Sequence, residues 1–119
     1  MHIEEFREFC LAKPGVTEGF PFGEDTLVLK VMDKVFALTG LSEEFAINLK
    51  CDPERAVMLR EENPAIQPGY HMNKKHWNTV YVDGSLSDKF LQELIDHSYD
   101  RVVAGLPKKV REGLWQVEK

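Results

Sequence analysis

The residue types best suited to binding chemistry are concentrated in one stretch, Pro68 to Val82, which reads PGYHMNKKHWNTVYV. It contains two histidines, an adjacent lysine pair, a tryptophan and two tyrosines. Asp and Glu do not occur between Glu62 and Asp83, although the whole chain carries a net charge of −5. Ammonium groups bind phosphate oxygens, amides and imidazoles form hydrogen bonds, and aromatic rings stack on bases. This stretch is therefore the candidate functional site.

One interpretation is a hairpin that binds nucleic acid. The lysine pair would contact phosphates at the tip, the amide and imidazole groups would form hydrogen bonds, and the tryptophan would anchor the hairpin to the core. A turn at Asp33-Lys34 would form a second tip, with more positive charge from residues 108, 109 and 111. So few basic contacts predict weak, salt-dependent binding. The predicted binding residues are Tyr70, His71, Asn73, Lys74, Lys75, His76 and Trp77.

The same residues allow two other functions. A polar, aromatic-lined pocket built on His71, His76 and Trp77 could bind a small anion or metabolite, with a histidine as general base. An exposed tryptophan or an unpaired strand edge could instead bind a partner protein. GxSxG, CxxC and glycine-rich phosphate-loop motifs are absent from the sequence, so we expect no catalysis and no cofactor. The two histidines lack a neighbouring carboxylate or cysteine, which argues against a metal site.

The elements that must position this stretch follow from hydrophobic periodicity and turn residues. Helices are predicted over residues 2–13, 52–62 and 87–104, and three strands over residues 26–50. Residues 66–82 are predicted to form a further hairpin. The order α-β-β-β-α-β-β-α indicates an α+β fold, a two-layer sandwich of an antiparallel sheet with helices on one face. Residues 16–25 are predicted to be a loop in which Phe20 and Phe22 close one end of the core or one of them lines a pocket.

Length and composition place the chain among ordinary globular proteins. Its 119 residues, 43% hydrophobic and 29% charged, predict one domain spanning residues 1–119. The acidic balance disfavours non-specific attraction to nucleic acid or anionic lipid, so any nucleic-acid binding requires a local basic patch. Cys10 and Cys51 are predicted to be buried free thiols. No apolar run reaches the length of a membrane span, and the acidic start MHIEEF is unlike a signal peptide, so we expect a cytoplasmic protein without membrane contact.

Five segments resemble the MmcQ/YjbR-like family of small bacterial proteins. They are PFGED at residues 21–25, KVFAL at 34–38, NLKCDPE at 48–54, PGYHMNKKHWNTV at 68–80 and LIDHSYDRVVAGLPKK at 94–109, and they occur in the family's order. The resemblance covers nearly the whole chain. It implies a two-layer α+β fold likened to the frataxin-like fold, and DNA binding through a double-wing surface.

Overall fold

A computed structural model describes residues 1–42, 44–69 and 72–114. The elements in chain order are α1 (Ile3–Leu11), β1 (Val16–Gly19), β2 (Thr26–Val31), β3 (Lys34–Gly40), β4 (Ala46–Lys50), α2 (Pro53–Glu62), β5 (Ile66–Pro68), β6 (Trp77–Tyr81), α3 (Asp88–Ala104) and α4 (Lys108–Leu114). The predicted α+β class and the predicted order are confirmed, with two further elements, β1 between α1 and β2 and α4 after α3.

The strands form one antiparallel sheet of six strands in the order β1-β2-β3-β4-β6-β5. Alternate residues point to opposite faces. On one face Ile47 lies between Thr39 and Val80, and Val80 pairs with Ile66. This face packs against the helices, and α3 crosses β3 and β4. The other face, which carries Asn48, Thr79 and Tyr81, has no helix over it among the described residues, and we call it the open face.

The helix boundaries follow from the capping residues. Asp52 caps α2 and Pro53 occupies its first position, while the Ser87 side chain accepts a hydrogen bond from the Phe90 N–H at the start of α3. The buried stripe of α3 consists of Leu91, Leu94, Ile95, Ser98, Tyr99 and Val102. A stripe of this kind buries one side of the helix against the sheet. The hydrophobic core therefore lies between α3 and the sheet.

A β-bulge in β3 is fixed by a buried serine. The register shifts between Leu29 and Lys30, which leaves Phe36 without a partner on β2. Ser98 of α3 donates a hydrogen bond to the Phe36 carbonyl at 2.5 Å and accepts one from the Lys50 N–H at 2.9 Å. The Ser98 side chain therefore supplies a hydrogen-bond partner both to the carbonyl of the bulged residue Phe36 and to the N–H of Lys50, the last residue of β4.

Strand β1 corrects the prediction of a continuous loop over residues 16–25. Val16 pairs with Val31, and the edge strand is short, with the sequence VTEG. Arg7 of α1 donates two hydrogen bonds to the Glu18 carboxylate, at 2.6 and 2.5 Å, and so ties β1 to the helical layer. Four residues, of which only the first two are β-branched, are too short a segment to show the periodicity of a strand.

The described part of the chain contains no helix that is long and apolar enough to cross a membrane.

Candidate nucleic-acid interface

The predicted hairpin is present, with β5 and β6 as its arms, and the described residues of its tip are Gly69 and residues 72–76. Pro68 pairs with Asn78, and the Gly69 N–H donates to the Trp77 carbonyl at 2.8 Å. A Cβ on Gly69 would lie 2.8 Å from the Trp77 Cβ and 2.9 Å from its carbonyl oxygen. Glycine is therefore required here, because the two strands approach each other too closely for any other residue.

Asn73 forms the turn within the tip. Its side-chain oxygen accepts a hydrogen bond from the Lys75 N–H at 2.8 Å. Its carbonyl accepts from the N–H groups of His76 and Trp77, at 3.2 and 3.0 Å. This is the usual way in which asparagine stabilises a turn. Asn73 thus has a structural role, and its amide NH₂ group donates no hydrogen bond to another described residue.

Arg60 of α2 holds the tip against the rest of the protein. Its Nε donates to the Asn78 side-chain oxygen at 2.6 Å, and its Nη2 donates to the carbonyls of Lys74 and, at 3.4 Å, Trp77. The sequence stretch 68–82 does not include this residue. The helical spacing could have identified Arg60 as a residue that contacts the rest of the protein. It lies four residues after the fully buried Ala56 and so borders the buried side of α2.

The tip presents its lysines to solvent. Lys74 and Lys75 are exposed, and neither forms an ion pair with another described residue. Their backbone is fixed by the contacts of Arg60 and Asn73. The two ammonium groups are therefore carried on a positioned turn while remaining free to contact an anion.

His76 and Trp77 are half-buried, at the point where the tip joins the sheet. The His76 carbonyl accepts from the Cys51 N–H at 2.7 Å, and its buried Nδ1 has no hydrogen-bond partner among the described residues. Trp77 lies on the open face opposite Lys50. Part of its surface is therefore accessible to solvent, and its predicted role as an anchor to the core stays a prediction. Tyr70 and His71 lie outside the described residues.

The second predicted tip is a two-residue turn, one position earlier than expected. Met32 and Asp33 adopt positive φ angles of 49° and 71°, and β3 begins at Lys34. Two consecutive left-handed residues are characteristic of a type I′ hairpin turn. Lys34 is therefore an exposed strand residue beside the turn and carries no strained backbone.

Both hairpin tips lie at the same end of the sheet. Since Lys50 pairs with Trp77 and Lys34 pairs with Val31, the ends of β2 and β4 and the starts of β3 and β6 all lie there. We call this the basic end, because it collects Lys30, Lys34, Lys50, Lys74 and Lys75.

Helix α4 lies near the basic end as well. A Cβ built on Gly15 would contact both Leu114 and Met32, so the end of α4 packs beside the Met32–Asp33 turn. This helix adds Lys108, Lys109 and Arg111. The basic end also holds carboxylates, of which Asp52 is used as the N-cap of α2 and lies 3.8 Å from Arg101.

The opposite end of the molecule is acidic. Asp88 at the start of α3 pairs with the N-terminal ammonium group at 2.6 Å. Two hydrogen bonds from Ser85 lower the pKa of Asp83, so this carboxylate is ionised at neutral pH. Other carboxylates at this end are Glu24, Asp25 and Glu44. The chain therefore has a net negative charge, with a cluster of lysines at one end of the strands and a cluster of carboxylates at the other, although Asp33 and Asp52 also lie at the basic end.

The open face contains a groove with a volume of about 980 Å³. Its described lining residues are Phe22, Thr26, Leu38, Gly40, Glu44, Ala46, Asn48, Met72, Thr79 and Tyr81. None of them is positively charged, and His76 and Trp77 are not among them. The groove therefore does not support the predicted anion pocket built on His71, His76 and Trp77.

The Phe20-Pro21-Phe22 segment does not close the core. Phe20 is 50% exposed and Phe22 is 70% exposed. The prediction that both rings fill one end of the core is therefore wrong, while the alternative that one of them lines a pocket is confirmed by Phe22. Proline explains the arrangement, because it interrupts strand pairing between β1 and β2 and turns the chain outward.

The titratable groups of the core, Cys10, Cys51 and His97, are buried or hydrogen-bonded within the fold. Cys10 and Cys51 are buried free thiols, and burial raises the pKa of Cys10 to about 12. A thiol with so high a pKa is not an active nucleophile at neutral pH. The His97 Nε2 accepts a hydrogen bond from the Asp52 N–H at 3.1 Å, and burial, followed by the nearby Arg55 and Arg101, lowers its pKa. The described residues contain no group of three or more His, Cys, Asp or Glu that could hold a metal ion.

Comparison with known proteins gives consistent matches. The model of the family described as YjbR matches residues 11–101. The chain is 39% identical to YjbR of Escherichia coli K12 over 118 residues, which cover 98% of this chain and 100% of the relative. It is 40% identical to YbdF of Escherichia coli O157:H7 over 107 residues, covering 89% and 88% of the two chains. Both relatives are described as uncharacterized proteins.

Solved structures agree with the sequence relatives. A crystal structure of a Deinococcus radiodurans protein with the domain DUF419 is 41% identical, with a TM-score of 0.89 over 95% of this chain and 87% of that one. The crystal structure of a Pseudomonas syringae protein is 31% identical, with a TM-score of 0.74 over 85% and 98%. The predicted resemblance is confirmed: the chain belongs to the YjbR family.

Proposed function

We propose that the protein binds DNA through its basic end. The observation that carries this proposal is the position of the two hairpin tips, which lie at the same end of the sheet together with five lysines of the strands and tips. The sheet order alone produces this cluster from residues that are up to 45 positions apart, Lys30 and Lys75. The net charge of −5 opposes binding, so the proposal depends on the local cluster of lysines at the basic end.

The roles of the tip residues follow from their exposure. Lys74 and Lys75 contact phosphate oxygens, because they are exposed and unpaired among the described residues. The Asn73 NH₂ group adds a hydrogen bond from the same turn. Trp77 offers a partly exposed indole beside Lys50, a combination that suits an unpaired base or a sugar face. Tyr70 and His71 are proposed as contacts from the sequence alone.

The second tip contributes through its flanking residues. Met32 is 38% exposed at the Met32–Asp33 turn, and Lys34 is exposed next to it. Two tips separated by the width of the intervening strands can contact backbone phosphates at two places on one duplex. Such contacts position the protein without reading the sequence of the bases, so we expect little sequence preference.

Fluorescence anisotropy with duplex and single-stranded DNA tests the proposal. About four phosphate contacts predict that affinity for duplex falls roughly 10³-fold between about 20 and about 150 mM salt. The variant Lys74→Glu/Lys75→Glu loses two of these contacts, so its salt dependence should fall by about half. Absence of binding by the wild type at about 20 mM salt, where phosphate contacts are strongest, would refute the proposal.

A further inference from the structure

The groove on the open face is a second feature that DNA binding at the basic end does not use. It has a physical origin in the sheet. Thr26 pairs with Gly40, Ala46 pairs with Tyr81, and the register places Gly40 beside Ala46. The two central positions of this row thus carry a hydrogen atom and a methyl group. Large side chains stand only at its margins, and a hollow remains between them.

The walls of the groove are largely apolar and aromatic. Phe22 reaches it from the loop between β1 and β2, Tyr81 from the end of β6, and Met72 from the hairpin tip. Phe22 is 70% exposed, so its ring offers apolar surface to a ligand in the groove. The floor has polar groups, with Thr79 donating a hydrogen bond to the Asn48 side-chain oxygen at 2.6 Å. A volume of about 980 Å³ lies within the range of small-molecule sites.

The charge of the groove selects the kind of ligand. Glu44 is the charged residue among its described lining residues. A neighbouring recess of about 310 Å³ shares Glu44 and Tyr81 with the groove and adds Asp83. Tyr81 and Glu44 therefore line both spaces, and no lysine or arginine lines either space among the described residues. Aromatic faces next to carboxylates attract organic cations and disfavour anions.

We infer that this groove binds a small organic cation, a free amine or quaternary ammonium compound with an apolar or aromatic body. The ammonium group lies near Glu44 and the Tyr81 ring, and the apolar body covers Phe22 and fills the space above Gly40 and Ala46. This inference does not depend on DNA binding. Glu44 and Tyr81 lie at the acidic end of the strands, away from the exposed lysines of the tip, although Met72 brings one wall of the groove from that tip.

The test is an NMR titration of the ¹⁵N-labelled protein with three ligands of similar size: phenethylamine, 2-phenylethanol and 3-phenylpropanoate. An exposed ion pair together with a cation–π contact predicts that the amine binds about five- to tenfold more tightly than the alcohol. Shifts should be confined to groove residues such as Gly40 and Ala46. Equal affinity for amine and alcohol, or no shift with about 10 mM amine, would overturn the inference.

Two variants locate the site and separate charge from shape. Glu44→Gln should remove the preference for the amine, whereas Glu24→Gln, an exposed glutamate outside the groove lining, should keep it. Ala46→Leu should abolish binding of both amine and alcohol by filling the hollow, and its melting temperature shows whether it folds. Unchanged amine affinity in a folded Ala46→Leu protein would place the ligand elsewhere and overturn the inference. If an acetylated Phe-Lys dipeptide amide binds more tightly than phenethylamine, the natural ligand is a lysine side chain of a partner protein, and the inference of a free small amine is overturned.

Discussion

Replacing Arg60 by methionine should destabilise the protein and release the hairpin tip. Methionine keeps an unbranched apolar stem and removes the guanidinium group. Two hydrogen bonds of normal or short length are lost, to Asn78 and Lys74, and a long third one to Trp77. Asn78 is only 2% exposed, so its side-chain oxygen remains buried without that donor.

The magnitude follows from these contacts. Hydrogen bonds from charged donors contribute about 1.5–3 kcal/mol each, and water can replace the donor at the exposed Lys74 carbonyl. We therefore expect the free energy of unfolding to fall by about 2–4 kcal/mol. With a urea m-value of about 1.5 kcal/mol/M, a loss of about 3 kcal/mol moves the midpoint down by about 2 M.

Urea unfolding followed by tryptophan fluorescence and by circular dichroism measures this change. The matched control is Glu61→Ala, the exposed next residue of the same helix, which should move the midpoint by less than about 0.3 M urea. Hydrogen exchange at the Trp77 and Gly69 amides should accelerate in the arginine variant. If Arg60→Met costs no more than Glu61→Ala, the guanidinium does not hold the tip and the reasoning about this contact is refuted.

Three further predictions concern the same framework. The folded protein holds the pKa of His97 below its ordinary value of 6.5, so the unfolded chain binds more protons than the folded one as the pH falls through 6.5. The free energy of unfolding should therefore decrease as the pH falls through this range. Urea unfolding between about pH 5.5 and 7.5 measures this decrease, which should be smaller in His97→Gln. Ser98→Ala should cost about 1–3 kcal/mol in the same assay, because the Lys50 N–H and the Phe36 carbonyl lose their shared partner, and a cost below about 0.5 kcal/mol would contradict that role. Gly69→Ala should destabilise β5 and β6 by at least about 1 kcal/mol, whereas Gly113→Ala, where a Cβ meets nothing within 4 Å, should be neutral or stabilising; equal effects would show that the close approach to Trp77 is unimportant.

The parts of the fold that follow from local chemistry could be predicted from the sequence. Asp52-Pro53 and Ser87 start their helices as expected, and the apolar stripe of α3 faces the sheet. The alternation in FAINLK and WNTVY predicts the two neighbouring interior strands β4 and β6. These patterns depend only on residues within one element, so they can be interpreted without knowledge of the tertiary structure.

The parts that depend on tertiary contacts could not be predicted. Strand β1 exists because β2 and α1 hold it, and Phe20 and Phe22 are exposed although their hydrophobicity indicates burial. The Met32–Asp33 turn lies one residue earlier than expected, since a β-bulge at Phe36 shifts the register of the strands behind it.

The candidate site shows the same division. The stretch 68–82 identifies the tip and its exposed lysines from residue types alone. Arg60 contacts that tip from α2, and its part in the site becomes visible only when the helix packs beside the hairpin. The separation of basic and acidic ends arises from the sheet order, in which β4 lies between β3 and β6. The groove, likewise, depends on Gly40 and Ala46 being neighbours across strands.

The central claim is that DNA binding depends on where the positive charge lies. The most direct measurement is duplex affinity by fluorescence anisotropy at about 20 mM salt for two variants with the same change of net charge, Lys75→Glu at the hairpin tip and Lys89→Glu at the acidic end. Loss of one phosphate contact at this salt predicts at least a tenfold weaker affinity for Lys75→Glu, with less than a twofold change for Lys89→Glu. Equal losses would attribute binding to net charge alone and contradict the assignment of the interface to the basic end.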